Sequence, residues 1–331
     1  MIRQIVLIVL AGAALSVTAA EEERPRNRFD SDILVETFGY GPETPSTVEW
    51  EALYQGCPKR DCIPAIDEPR FISAEEADYL QADELVLGMA IEGDARAYPV
   101  RIMNFHEIVN DQFGDLPVAV TFCPLCGSGV AFDRRLDGEA VEFGVSGVLH
   151  DSDLVMYDRR SESLWQQITG AAIMGPKLGE TLTMLPLSMS EWSTWKAAYP
   201  QTRVLTVASG QDLGERGGDY GRDVYKDYLT SDRLYFPVAR RNLAVPPKTV
   251  IHGAVIASQA VALRDDELAP GEQRTFALAD LSLRVRRAED GGVVFHDAAT
   301  ETDYPAMRLF WFAWYNFHPD TELVSHDDAA E

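Results

Sequence analysis

The chain has 331 residues, and its 53 Asp and Glu outnumber its 29 Lys and Arg, which leaves a formal net charge of -24. So acidic a protein repels nucleic acid and anionic membrane surfaces, and this excludes both as partners. With 46% hydrophobic residues, the chain can bury one large core or two ordinary ones. We expect a soluble globular protein whose ligand is a small molecule or a metal ion; no protein partner is indicated.

The N-terminus has the layout of a secretory signal peptide. Arg3 precedes an apolar run at 5–15, and small residues follow up to Ala20. The run is too short to span a membrane comfortably, so we expect cleavage near Ala19 or Ala20 rather than an anchor. The mature protein would then be periplasmic or otherwise extracytoplasmic, without a membrane span.

A loop-rich region is expected at 21–72, and it contains the first two cysteines. Cys57 and Cys62 lie in a polar turn with two prolines. In an oxidising compartment this spacing predicts a structural disulfide that closes the turn. Free or metal-bound thiols are the alternatives.

Helix and strand signals follow one another from residue 73 onward. Ser73 and Glu76 form a capping-box pattern that predicts a helix at 73–80. A hairpin is predicted at 85–99, around a Glu-Gly-Asp turn. The apolar spacing at 104–111 predicts a second helix, which would carry His106 and Glu107.

The most distinctive stretch runs from 118 to 132. A β-branched, apolar strand leads into Cys123-Pro124-Leu125-Cys126, and two glycines then precede a second strand. Two thiols at this spacing can meet on one side of a tight turn, where they suit a disulfide, a redox-active dithiol or half of a soft-metal site.

The rest of the chain alternates strands and turns. Strands are predicted at 141–148, 154–158 and 164–169, a helix at 190–199, and a loop-rich connection at 210–247. Acidic residues crowd the hairpins after the cysteines. Most of them, including Asp153, are expected to be solvated turn residues in so acidic a chain.

Two sets of landmarks occur twice, in the same order. The first is a glycine, an isoleucine and two alanines at 88, 91, 95 and 97, and again at 253, 256, 260 and 262. The second is Trp-x-x-Trp-x-x-x-x-Pro-x-Thr, starting at Trp192 and again at Trp311. We expect an α+β protein, predominantly antiparallel β with a few short helices, in two unequal, internally related units at 73–209 and 248–326.

Several blocks together resemble a widespread prokaryotic domain-of-unknown-function family. They are AYP at 97–99, NFHEIVND at 104–111, TFCPLC at 121–126, FGVSG at 143–147, SDLVMYDR at 152–159, SLWQQ at 163–167, WFAW at 311–314 and HPDT at 318–321. The resemblance covers most of the mature chain and implies a shared site, without naming a reaction. Cys57 and Cys62 lie at positions where that family is expected to have other residues. This favours a structural disulfide that stabilises only this turn, here called the staple, over a function shared by the family.

A soft-metal site is the leading interpretation of the motif. Cys123 and Cys126 would supply thiolates and His106 an imidazole, a donor set that suits copper or zinc. Copper is favoured for an exported protein whose thiols could be redox-active, since a closed zinc site needs four protein ligands. Met156 and His150 are candidates for the fourth.

Two other interpretations of the cysteines stay open, and enzymatic activity is not decided. Thiol–disulfide exchange is one, although no helix start follows Cys126 to lower a thiol pKa. The other is a structural disulfide in a non-enzymatic binding or scaffold module.

Other side chains are candidates for lining a pocket at the same site. They are Glu107, Asp133, Met156, Trp165 and Gln166. Without a Gly-rich phosphate loop, a nucleophile elbow or a zinc-protease helix motif in the sequence, no nucleotide cofactor or hydrolase activity is expected.

Overall fold

The computed structural model describes residues 32–206, 220–278 and 281–324. The predicted signal peptide and part of the predicted connection at 210–247 lie outside these ranges. Within them the protein is mostly antiparallel β-sheet with a few short helices, as expected, and blade-like sheets form a ring. Among these residues, no helix combines the length and the apolar character needed to cross a membrane.

The helices are short and the strands numerous. The α-helices are α1 (Val100–His106), α2 (Trp192–Ala198), α3 (Lys226–Leu229) and α4 (Trp311–Phe317), with a π-helix at Leu34–Phe38 and 3-10 helices at Trp50–Ala52 and Asp265–Glu267. The strands are β1 (Leu53–Gln55), β2 (Arg70–Ser73), β3 (Leu85–Ile91), β4 (Asp94–Pro99), β5 (Ile108–Phe113), β6 (Leu116–Cys123), β7 (Ser128–Asp133), β8 (Arg135–Leu136), β9 (Glu139–Ala140), β10 (Phe143–His150), β11 (Asp153–Asp158), β12 (Leu164–Gln166), β13 (Ala172–Met174), β14 (Met184–Leu185), β15 (Ser188–Glu191), β16 (Arg203–Thr206), β17 (Val250–Ile256), β18 (Gln259–Arg264), β19 (Gln273–Leu278), β20 (Leu281–Arg287), β21 (Val293–Asp297), β22 (Thr302–Pro305), β23 (Met307–Phe310) and β24 (Glu322–Val324).

These strands form five larger sheets and a two-stranded ribbon in the described part of the chain. The sheet orders are β1-β10-β11-β12-β13, β14-β7-β6-β5, β15-β3-β4-β16-β2, β23-β17-β18-β24, β19-β20-β21-β22 and β8-β9. Most neighbours are antiparallel; β16 with β4 and β24 with β18 are parallel.

The sheet that carries the cysteines contacts three others. The side chain of Asn110 on β5 bonds both backbone groups of Phe143 on β10. Leu87 of β3 lies against Gly129 on β7. The N–H of Phe310 on β23 donates to the carbonyl of Cys126, at 2.9 Å. The Cys-Pro-Leu-Cys hairpin is therefore enclosed by neighbouring sheets, and its side chains face other blades rather than solvent.

The predicted helix at 73–80 is wrong. The capping bonds form, since Oε2 of Glu76 accepts from the N–H of Ser73 at 2.9 Å, but only turns follow. A lone helix of this length is marginal because nucleation is costly. The segment instead forms turns, and these turns still bury the apolar side chains of Ala74, Ala77 and Leu80.

The predicted helix at 104–111 is half wrong. Helix α1 ends at His106, and Glu107 adopts a left-handed conformation (φ 58) that turns the chain into β5. The β-branched pair Ile108 and Val109 then pairs with Thr121 and Val120 on β6. The free energy gained when these side chains are buried against the neighbouring strand outweighs the helical preference that their spacing indicates.

The two sheets that carry the repeated landmarks have matching layouts. Gly88 pairs with Ala97 in one, and Gly253 pairs with Ala262 in the other. In both, the strand that precedes a Trp-bearing helix pairs antiparallel with the glycine strand. A parallel strand follows on the far side of the hairpin.

The same glycine-to-tryptophan contact occurs in each of these sheets. A Cβ atom at Gly88 would overlap the ring of Trp195, and one at Gly253 would lie 2.6 Å from Cδ2 of Trp314. The indole N–H of Trp195 donates to Thr202 at 2.9 Å, and that of Trp314 donates to Thr321 at 2.7 Å. The glycines are needed because each ring lies directly on a strand backbone.

We predict that Gly88→Ala and Gly253→Ala each destabilise the protein by about 1 to 3 kcal/mol, because the added methyl overpacks against an indole ring. Urea unfolding at equilibrium measures the change. Ala90→Ser, at an exposed position on the same strand as Gly88, is the control and should change stability by less than about 0.5 kcal/mol. Wild-type stability in both glycine variants would contradict the packing described here.

Candidate functional site

The two cysteines of the motif lie in the turn of the β6–β7 hairpin. Cys123 pairs with Ser128, and the four residues between them make the turn. The N–H of Cys126 donates to the carbonyl of Cys123 at 3.2 Å, and Gly127 takes a left-handed conformation (φ 59) that returns the chain to β7. Both thiols are free and fully buried.

A third group, Asp153, faces the two thiols from a different sheet. It is the first residue of β11 and follows a tight turn in which Asp151 and Ser152 both have positive φ, at 51 and 66. A sulfur of each cysteine and a carboxylate oxygen of Asp153 all lie within 4.8 Å of one another. The carbonyl of Ser152 also points here, 3.5 Å from Sγ of Cys126 and 3.8 Å from Sγ of Cys123.

The carboxylate of Asp153 is only half satisfied. Its Oδ2 accepts from Nε2 of Gln166 at 2.6 Å and from the N–H of Ile168 at 3.0 Å. Its Oδ1 is buried and has no N–H or O–H donor among the described residues, so beyond the two donors to Oδ2 only the two thiols lie close enough to donate to this carboxylate. Burial raises the pKa of Asp153 to about 6. A lone buried carboxylate oxygen is costly unless a proton or a cation meets it.

Burial also raises the pKa of both thiols. For Cys126 the pKa is raised well above its ordinary value, and for Cys123 the rise is opposed by hydrogen bonds from Cys126. Nucleophilic cysteines need the opposite shift, because the thiolate is the reactive form. A bound metal ion would deprotonate such thiols directly.

His106 lies apart from this group of donor atoms, contrary to the predicted ligand set. At the end of α1, its Nδ1 bonds the carbonyl of Pro64 and its Nε2 bonds the hydroxyl of Tyr220, both at 2.7 Å. Burial lowers the pKa of His106. Both ring nitrogens are thus engaged in hydrogen bonds, and His106 is not among the donor atoms that lie within 4.8 Å of one another.

Two of the predicted pocket residues lie next to the site. Glu107 is buried and borders a cavity together with Cys123. Gln166 holds Asp153, as described, and its Oε1 accepts from Nδ1 of His150 at 2.7 Å. His150 is therefore linked to the site through a hydrogen-bond chain, and Gln166 fixes which ring nitrogen carries the proton.

The other predicted pocket residues have different surroundings. Met156 and Trp165 face each other on β11 and β12, in the apolar core that also holds the cysteines. The indole N–H of Trp165 donates to Asp158 at 3.0 Å, so this ring is a satisfied core residue. Asp133 is paired with Arg135 at the end of β7 and does not border the cavity.

The sequence interpretation missed the position of Asp153. It treated the acidic residues after the cysteines as solvated, whereas Asp153 has no exposed surface. Asp153 comes directly before the apolar strand predicted at 154–158, but aspartate is exposed at most positions, and a local pattern does not show that this one is buried.

The predicted disulfide between Cys57 and Cys62 is present. It closes the turn that follows β1, where the N–H groups of Gly56 and Cys57 bond the carbonyl of Gly147. Cys57 borders the same cavity as Cys123. The staple thus holds one rim of the site.

A family model described as "Protein of unknown function (DUF3179)" matches residues 60–321. The chain belongs to this family. The match includes Cys62, Cys123, Cys126 and Asp153 and begins after Cys57. No curated protein and no solved structure matches the chain. Membership therefore places the site inside the family's domain and names no activity.

We predict that Asp153→Asn stabilises the metal-free protein at neutral pH, by about 1 to 3 kcal/mol. The folded-state pKa of Asp153, about 6, is above its ordinary value, so ionisation favours the unfolded chain. The stability of the wild type should fall as pH rises from about 4 to about 6, and the variant should lose this fall. Urea unfolding across this range, with a chelator present, measures it.

Asp133→Asn is the matched control for this substitution. Hydrogen bonds from Arg135 lower the pKa of Asp133, so its charged form is already favoured in the folded protein. Removing that charge should lower the free energy of unfolding by less than about 1 kcal/mol at neutral pH. The decrease in stability from about pH 4 to about pH 6 should remain as in the wild type. Equal pH profiles for Asp153→Asn and wild type would contradict the burial of this carboxylate.

Proposed function

We propose that this is an extracytoplasmic metal-binding protein whose ion is held by Cys123, Cys126 and Asp153. The observation that carries the proposal is the buried group of two thiols and one carboxylate within 4.8 Å of one another, in which Oδ1 of Asp153 has no N–H or O–H donor among the described residues. A cation would satisfy this oxygen and bring both raised thiol pKa values down. No such benefit follows from a disulfide at this position, because the carboxylate would still lack a partner.

The charges in the site favour a divalent ion. Two thiolates and one carboxylate carry three negative charges, and a divalent ion leaves only one uncompensated charge in a buried site. Copper is the expected ion, since Cu²⁺ heads the affinity order of the divalent first-row metals and thiolates also hold Cu⁺. Zinc suits the same donors, with an open fourth position as in catalytic zinc sites.

Two groups could provide the fourth ligand of the ion. The carbonyl of Ser152 already lies 3.5 Å from Sγ of Cys126. The cavity bordered by Cys123 and Glu107 offers the other route, for water or a small molecule. Gln166 would act as an outer-shell residue, because it orients the carboxylate through Oδ2 and leaves Oδ1 for the ion.

Thiol–disulfide exchange is less well supported, because the pKa of both thiols is raised and β7, not a helix, follows Cys126. The Cys57–Cys62 disulfide supports the extracytoplasmic location, since such bonds persist in oxidising compartments.

We also infer that the sheets around Gly88 and Gly253 are copies of one duplicated unit. Their shared strand order, register and Gly–Trp contact support this. The first copy leads into the cysteine hairpin, and the second has no cysteine. Phe310 of the second copy instead bonds the turn of the hairpin through the carbonyl of Cys126.

We predict that protein isolated from an oxidising compartment carries about one copper or zinc ion per chain. Cys126→Ser should abolish the metal, because it removes a ligand from the buried turn. Asp153→Asn should weaken binding about 10- to 100-fold, since it removes the anionic ligand. Elemental analysis and competition with a chelator measure content and affinity.

A control variant and a thiol count separate the site from general effects. Asp133→Asn removes a carboxylate on β7 outside the site and should keep the metal. Thiol counting on denatured, unreduced protein should give two free thiols. A metal-free protein with no free thiol would contradict the proposal. It would mean that Cys123 and Cys126 form a second structural disulfide.

A further inference from the structure

A cavity of about 140 Å³ lies directly against the cysteine turn. Cys123, Pro124 and Leu125 form one side of it, and Leu149 and Leu154 from β10 and β11 form another. Tyr225, Tyr235 and Phe236 form an aromatic side, and Cys57 and Glu107 also border the cavity. Small-molecule sites have this character, with a mostly apolar lining and a few polar groups.

The aromatic side belongs to the connection that was predicted to be only a linker. This segment is fixed to the site at both ends. The hydroxyl of Tyr228 donates to the carbonyl of Leu125 at 2.8 Å, inside the cysteine turn. At the other end, Oγ of Ser152 donates to the carbonyl of Phe236 at 3.0 Å, and the N–H of Ala239 donates to Asp151 at 2.5 Å.

These anchors give the segment a role beyond connecting two units. It contacts the turn that carries the thiols and the turn that precedes Asp153, so it forms a wall across the face of the site. A segment held only for chain continuity would not need hydrogen bonds to both turns. The wall makes the cavity a defined space rather than an open surface.

The size and charge of the cavity narrow the class of ligand. An apolar space of roughly 150 Å³ is large enough for a benzene ring, and this partly open cavity has a comparable volume. Anions are disfavoured, because the buried carboxyl group of Glu107 borders the cavity. A neutral ring with a hydroxyl group would stack on the aromatic side and donate to the acidic side.

We propose that this cavity binds a neutral, single-ring phenol, with its hydroxyl directed toward Cys123 and Glu107. The inference deepens the proposed function, because it names a ligand class for the open side of the same site, and it rests on that function for the ligand's approach to a metal ion. Binding itself requires only the cavity.

The test is a calorimetric titration of the full mature protein with phenol, in metal-loaded and chelated samples whose metal content is measured. We expect one phenol per chain, and binding of benzoate weaker by about tenfold or more, owing to the neighbouring carboxylates. Leu149→Phe should weaken phenol binding about tenfold or more, because the larger ring fills the cavity. Val255→Phe, at an exposed position on β17, is the matched control and should bind as wild type does.

A second variant covers the case in which Leu149→Phe does not fold. Tyr235→Ala removes part of the aromatic side and should also weaken phenol binding. Absence of phenol binding in both wild-type samples overturns the inference, as does unchanged binding in a folded cavity variant. If the protein binds metal but not phenol, the phenol inference fails and the proposed function is unaffected. If the protein binds phenol but never holds a metal ion, only the proposed metal site is refuted.

Discussion

A carboxylate closed off from water beside two buried thiols is the interaction on which the rest of this site depends. Asp153 has no exposed surface, and one of its oxygens has no N–H or O–H donor among the described residues. Such an arrangement costs free energy unless a proton or a cation is held there. Burial raises the pKa of the carboxyl group and of both thiols for the same reason, because it disfavours their charged forms.

The ring of sheets explains how three such groups are held together. The cysteines come from a hairpin in one sheet, and Asp153 comes from the tight turn between two strands of another. A strand of the second Gly–Trp sheet bonds the cysteine turn, and the connecting segment covers what remains. Because each group is fixed by a different part of the fold, the site exists only when the blades are assembled. Its geometry is thus coupled to global folding rather than to any single hairpin.

The site is closed on the core side and bounded by a cavity on the other. On the core side, Gln166 and the N–H of Ile168 occupy one carboxylate oxygen, so the other is directed to the thiols. On the cavity side, apolar and aromatic groups limit both the size and the charge of what can approach. The Cys57–Cys62 disulfide holds one rim of this cavity, which gives the staple a place in the site as well as in the fold.

The strand-rich class, the disulfide, and the hairpins at 85–99 and around the cysteines could be predicted from the sequence. These follow from alternation, turn residues and cysteine spacing, which act over a few residues. The tertiary structure was needed to bring Asp153 next to the two thiols, to place His106 outside that group, and to lay the connecting segment against the site. The helices at 73–80 and 104–111 failed for the same reason. Which partner a side chain meets depends on how distant strands pair, and local patterns carry no information about partners that lie tens of residues away.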